Sequence, residues 1–218
     1  MFSSGLSTHG SDLDPDTART DALVAAVASW HAFVEGRFSS DPARPLAVDA
    51  AALRSVTAEQ LATVFQAGPG NPLVGLDGRA ALMRRLGAAL VAHPEVFGPE
   101  GRPGGLLDAL SRPADAVDAH DVLGLLLSTL SAIWLSGTMI GDQPLGDCWR
   151  HDAVTGPGLS AGWIPFHKLS QWLTYLLIEP FEWAGVTVTG VDRLTGLPEY
   201  RNGGLLMDSG VLRLRDGS

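Results

Sequence analysis

Apolar residues recur along this chain at three- and four-residue steps, the spacing that lines one face of a helix. Leu23, Val24, Val27, Trp30, Phe33 and Val34 make the first such face, with a cap at Thr20 or Asp21 and an end near Gly36. Thr57-Ala58-Glu59-Gln60 has the form of a capping box and predicts a helix through Phe65. Asp77 is placed to cap a further helix carrying Leu82, Met83, Leu86 and Leu90, which Pro94 stops. Beyond a Gly- and Pro-rich loop at 98–105, Asp118 opens the most apolar stretch, Val122 to Ile140. Ser128, Thr129, Ser131, Ser136, Gly137 and Thr138 interrupt that stretch and it is short for a bilayer, so it reads as a buried helix and not a membrane span. Phe166, Leu169, Trp172, Leu173, Leu176 and Leu177 then form a broad stripe expected to be buried, with Lys168, Gln171 and Tyr175 on an adjoining face. Pro180 is expected to bend the final turn of this helix before Gly185, and Val186 to Thr189 supports one short strand.

The pattern predicts a mainly α-helical single domain over 18–218, with at most a short strand or two near the C-terminus, after a polar tail at 1–17 expected to be disordered. Its expected core is Trp30, Leu82, Leu86, Leu126, Leu130, Trp134, Leu169, Leu173 and Leu176.

Composition narrows the function. A formal net charge of -9 argues against binding a polyanionic duplex, so no nucleic-acid partner is expected. Cys148 is the only cysteine, which excludes a disulfide framework and suits a reduced, cytoplasmic protein; small apolar packing is its expected use. Residues 1–22 lack the basic start and apolar core of a signal peptide. His31, His93, His120, His151 and His167 show no metal-ligand spacing, and no His-Glu-x-x-His helix exists, so no metal site is expected. Ser39, Ser160 and Ser170 lack a nucleophile elbow, and the glycines around Gly68, Gly75 and Gly104 form no phosphate loop, so no cofactor is expected either.

Two polar clusters remain. Glu199, Tyr200, Arg201, Asn202 and Asp208 fall within ten residues of one another, where Pro198, Gly203 and Gly204 are expected to prevent any long regular element. Such a segment suits a ligand, although a packed turn with Tyr200 and Arg201 over the surface would have the same composition. Upstream, Lys168 and Gln171 stand beside the apolar stripe, where a lysine alone commonly snorkels to solvent. Asp147 and His151 are close enough in sequence to share a site or merely a local hydrogen-bond network.

Phe166-His167-Lys168-Leu169-Ser170-Gln171-Trp172-Leu173, followed by Leu194-Thr195-Gly196-Leu197-Pro198-Glu199-Tyr200-Arg201-Asn202-Gly203-Gly204-Leu205-Leu206, resembles the signature of the uracil-catabolism protein four family of bacteria and fungi. Phe38-Ser39-Ser40-Asp41-Pro42, the block from Asn71 to Ala80 and the block from Pro144 to His151 agree with it, in the same order. The resemblance runs from about Trp30 to the end and covers the C-terminal portion of the family architecture. It implies a partner in a missing N-terminal half or in another enzyme of the pathway.

A more distant likeness joins Phe166, Lys168 and Gln171, and then Leu194, Thr195, Glu199, Tyr200 and Arg201, to the queuosine-salvage N-glycosylases. That family is similar to helix-hairpin-helix glycosylases, so the likeness implies that fold and glycosidic chemistry at Lys168 and Glu199. Glu199 stands where an Asp is expected, which leaves nucleophile and electrostatic partner as alternative roles. The pathway implied is one in which uracil is ribosylated and its ring opened, so that a ribosylated urea or related nucleotide must be cleaved. Arg201, Asn202, Gln171 and Asp208 are then implied as polar contacts to this small-molecule substrate, with Tyr200, Trp172 and Trp149 as walls and His167 and Asp147 beside them. Two alternatives stay open: hydrolysis of the urea amide bond, and a noncatalytic partner role.

Overall fold

The computed structural model of the chain describes residues 15–111, 116–197 and 199–213, leaving aside the side chains of 15–24, Tyr200 and Arg201. Helix dominates these residues: α1 Pro15–Val34, α2 Ala50–Arg54, α3 Ala58–Val64, α4 Leu76–Ala92, α5 Pro94–Phe97, α6 Gly105–Ser111, α7 Ala119–Leu130, α8 Lys168–Trp183 and α9 Tyr200–Asp208. The strands are short pairs. β1 (Ala116–Asp118) runs parallel to β6 (Thr187–Thr189), β2 (Met139–Ile140) antiparallel to β3 (Gln143–Pro144), and β4 (Cys148–Arg150) antiparallel to β5 (Trp163–Pro165). The fold is mainly α, as the periodicity predicts, but six short strands among the described residues, spread over 116–189, replace the one or two expected near the C-terminus, because each forms only by pairing with a partner that periodicity does not reveal. Two compact units divide the chain, Met1–Ala109 with Ala132–Leu135 and Leu110–Ser131 with Ser136–Ser218.

In the first unit α1 starts at Pro15, ahead of the expected cap, because proline is suited to a first helical turn. Leu23 and Val24 lie outside the described side chains. Trp30 is not core: it is 61% exposed, tilted against Phe33, and α1 buries Ala32 instead. The capping box forms as expected, Thr57 Oγ1 accepting from the Gln60 N–H and Gln60 Oε1 from the Thr57 N–H. At α4 the cap is Gly75, in the left-handed region at φ 78°, and Asp77 sits in the first turn. Leu53, Leu61, Leu90, Phe97 and Leu106 are buried, while Leu82, Leu86 and Trp134 are only half-buried. The approach of α2 to α4 depends on Gly87, where a Cβ would stand 2.8 Å from the Ala50 carbonyl oxygen.

In the second unit Asp118 caps α7 through the His120 N–H, as expected. The helix stops at Leu130, ten residues short of Ile140, and passes into a 3-10 turn at Ser131–Ile133. Hydroxyls explain part of this: Ser128, Thr129 and Ser131 each bond to a carbonyl three or four residues back, competing with continuation of the ladder. Val122, Leu126 and Leu130 form the apolar centre, each stabilising by about 2 kcal/mol on burial.

The stripe on α8 is inverted relative to expectation. Ser170, Gln171, Thr174 and Phe181 are buried, whereas Leu169, Trp172, Leu176 and Trp183 face solvent and Leu173 is half-buried. Small side chains let α8 pack close to α7, and Thr174 satisfies its own hydroxyl on the Ser170 carbonyl, so burial is inexpensive there. The C-terminal segment also differs: Gly203 and Gly204 are accommodated inside α9, where an irregular backbone was expected.

Candidate functional site

The β4–β5 hairpin ends where α8 begins, and Asp147, the buried residue before β4, joins the two. Its carbonyl accepts the backbone N–H groups of Phe166 and His167 at 3.1 and 2.9 Å. Its carboxylate accepts the Lys168 N–H at 3.0 Å through Oδ2 and the Trp149 indole N–H at 2.7 Å through Oδ1. An acid from elsewhere in the chain therefore caps α8, since His167 offers no side-chain cap of its own.

His167 adopts the left-handed conformation at φ 46°, uncommon for a residue with a side chain. Its Nδ1 is buried and, among the described residues, without a hydrogen-bond partner. Burial pushes the imidazole below its usual range, against the opposing pull of Asp147. The unfolded chain therefore binds the proton first, so stability from neutral His167 is complete above the ordinary value of 6.5 and is lost as pH falls below it. On acidification from about pH 7.5 to about pH 5, the melting temperature of the wild type should drop further than that of His167→Asn, which keeps the left-handed turn without titrating. Equal drops measured by circular dichroism would assign the acid sensitivity elsewhere.

Lys168 opens α8 with its side chain 14% exposed, and its Nζ lies 3.3 Å from Glu199 Oε1, itself 32% exposed. Glu199 precedes α9, and its carbonyl accepts the Asn202 N–H at 3.1 Å. One turn along α8, Gln171 accepts from the Thr195 hydroxyl at 2.9 Å and donates to the Phe166 carbonyl at 3.1 Å. A further turn on, the Tyr175 hydroxyl donates to the Thr195 carbonyl at 3.4 Å. Lys168, Gln171 and Tyr175 thus lie on one helical face that receives the segment 195–199.

The other named positions are dispersed around this pair. Trp149 and Trp172 are part-exposed, and Asn202 is exposed. Asp208 closes α9 about 12 Å along its axis from Tyr200, so the structure does not bring it to Glu199. Tyr200 and Arg201 have their backbone in α9, and their side chains lie outside the described residues. Gln171 spends both ends of its amide on the protein. Thr195, which anchors the Glu199 segment, enters the sequence reading only as part of the Leu194-Thr195 motif and carries no expected role there.

Cys148 is buried, and burial together with the neighbouring Asp147 charge pushes its thiol up, which disfavours a thiolate. Among the described residues, no group of three or more His, Cys, Asp or Glu side chains is arranged to hold a metal ion. No described helix is long and apolar enough to cross a membrane.

Residues 11–218 match the family model described as protein of unknown function (DUF1688). The chain belongs to the DUF1688 family. It is similar to uracil catabolism protein 4 of Lachancea kluyveri, 41% identical over 206 residues that cover 88% of this chain and 47% of the relative. It is likewise similar to protein urg3 of Schizosaccharomyces pombe, 41% identical over 194 residues, 87% of this chain and 45% of the relative. The chain thus spans about half the length of these curated relatives. No solved structure matches it significantly.

Proposed function

We propose that this DUF1688 protein acts in uracil catabolism as an N-ribosyl hydrolase, cleaving a ribosylated urea or a related nucleotide intermediate. The observation that carries the reading is the part-buried pair of Lys168 Nζ and Glu199 Oε1 at 3.3 Å. The name of the Lachancea relative, uracil catabolism protein 4, supports the pathway, and the likeness of both motifs to N-glycosylases supports the reaction and a helix-hairpin-helix kinship.

In the reaction, water oxygen bonds to the anomeric carbon as the carbon–nitrogen bond breaks. The bonding pair leaves on the urea nitrogen, which takes up a proton from water. Positive charge develops on the sugar ring, and an ionised carboxylate held in place opposes it. Glu199 supplies that carboxylate and Lys168 orients it through their contact at 3.3 Å. Asp147 fixes the helix start that carries Lys168, while Gln171 and Tyr175 hold the segment that carries Glu199.

The test is to incubate the chain with N-ribosylurea and its 5′-phosphate in the presence of chelator and to measure free ribose or ribose 5-phosphate. Release of the sugar supports the reading; release of ammonia with the ribosyl bond intact replaces it with urea-amide hydrolysis. The exposed Leu169, Trp172, Leu176 and Trp183 ridge favours a second reading, a noncatalytic partner that docks on another protein of the pathway. Absence of either product, with stimulation of a pathway enzyme on addition of the chain, would favour that one.

A further inference from the structure

Away from Lys168 and Glu199, the β2–β3 hairpin, the β4–β5 pair and the turn at Gly158–Ser160 border an open groove of about 320 Å³. Arg150 and Trp163 are directly opposed in the β4–β5 register, and the guanidinium carbon lies 5.4 Å from the indole centroid. Strand alternation puts Arg150 on the opposite face of β4 from Trp149, whose indole bonds to Asp147. The groove is therefore distinct from the helix-capping network.

Three features make Arg150 and its groove available to a ligand. First, no group among the described residues accepts a hydrogen bond from its guanidinium, as is also so for Arg54 and Arg102, whereas Arg84 and Arg85 donate to the Val56 and Trp134 carbonyls. Arg37, Arg44 and Arg193 all do pair with acids. Second, the guanidinium sits over the Trp163 ring, a contact that orders its planar donor group, and the absence of a side chain at Gly162 leaves room beside Nε and Nη2. Third, the groove keeps apolar surface in water: Leu159 is 80% exposed and Met139 45%. At Gly141 and Gly158, both at positive φ, nothing stands within 4 Å of where a Cβ would be, so the rim stays low.

We propose that this groove binds a small organic oxyanion, a phosphate monoester or carboxylate with an apolar body. Arg150 grips the anion bidentately, and Met139 and Leu159 cover the body. The volume suits a ligand of the size of a phenyl phosphate. The inference stands independently of the ribosyl-hydrolase reading.

Phenyl phosphate, inorganic phosphate and phenol serve as probes in isothermal titration calorimetry with the full chain. Phenyl phosphate should bind saturably at one site, at least tenfold more tightly than either of the others. Arg150→Gln should weaken it about tenfold or more, Arg150→Lys less because a point charge replaces the fork, and Leu159→Ser by a few-fold. Arg150 is exposed, so these variants should retain the wild-type circular dichroism spectrum. Glu199→Gln should leave the affinity unchanged, which separates this site from the proposed reaction. No saturable binding, or binding indifferent to Arg150→Gln, would overturn the proposal. Equal affinity for inorganic phosphate would overturn the role of the apolar wall.

Discussion

Glu199→Gln should lower the turnover of a ribosylated urea about a hundredfold or more while changing KM much less. The substitution keeps the shape of the side chain and removes the charge, so ground-state binding of a neutral urea loses little. What it loses is attraction for the positive charge that exists on the sugar only as the bond breaks. Lys168→Met should also be damaging, because the carboxylate then loses the cation that orients it at 3.3 Å. If the two act as a unit, the double variant should be scarcely slower than the worse single variant. Glu199→Asp separates the remaining roles: an electrostatic partner tolerates the shortened arm better than a group that must reach the anomeric carbon. Steady-state rates of sugar release settle each point, and equal kcat for wild type and Glu199→Gln would remove Glu199 from the chemistry.

Asp147→Ala should destabilise the second unit by about 3 kcal/mol. The carboxylate caps α8 and accepts the Trp149 indole in a buried setting, and both are charge-assisted bonds whose donors would be left unsatisfied. Asp147→Asn keeps an acceptor and should cost less, about half as much. Urea denaturation followed by far-ultraviolet circular dichroism measures the difference, with Trp149→Phe as the control that removes only the indole bond. A change under about 0.5 kcal/mol for Asp147→Ala would mean that water replaces the cap.

The parts of this fold that were legible in sequence are those fixed by local chemistry. The Thr57–Gln60 box and the Asp118 cap follow from side chains that satisfy nearby N–H groups, so spacing alone locates them. Lys168, Gln171 and Tyr175 share a face because helical geometry requires it. The inverted α8 could not be read this way. Its periodicity correctly describes an amphipathic helix, but which face turns inward depends on α7, against which Ser170 and Thr174 permit close packing. Trp30 misleads similarly, since a large apolar residue on a periodic face is buried only where another element covers it. The remote cap at Asp147 pairs residues 21 apart in sequence and has no local signature. The inclusion of Tyr200–Asp208 in a helix shows that two glycines lower helix propensity without forbidding it.

The parallel pairing of β1 with β6 bears on the order in which the molecule assembles. The Thr189 hydroxyl reaches the Val117 carbonyl across 72 residues of chain, so this pairing closes a long loop and its entropy cost precedes any reward. The β4–β5 hairpin, by contrast, forms from neighbours and can present Asp147 to the start of α8 early. Glu199 reaches Lys168 across 31 residues, a longer loop than the 21 that separate Asp147 from Lys168. Contact range alone therefore predicts that the capped start of α8 becomes ordered before the acid that completes the Lys168–Glu199 pair.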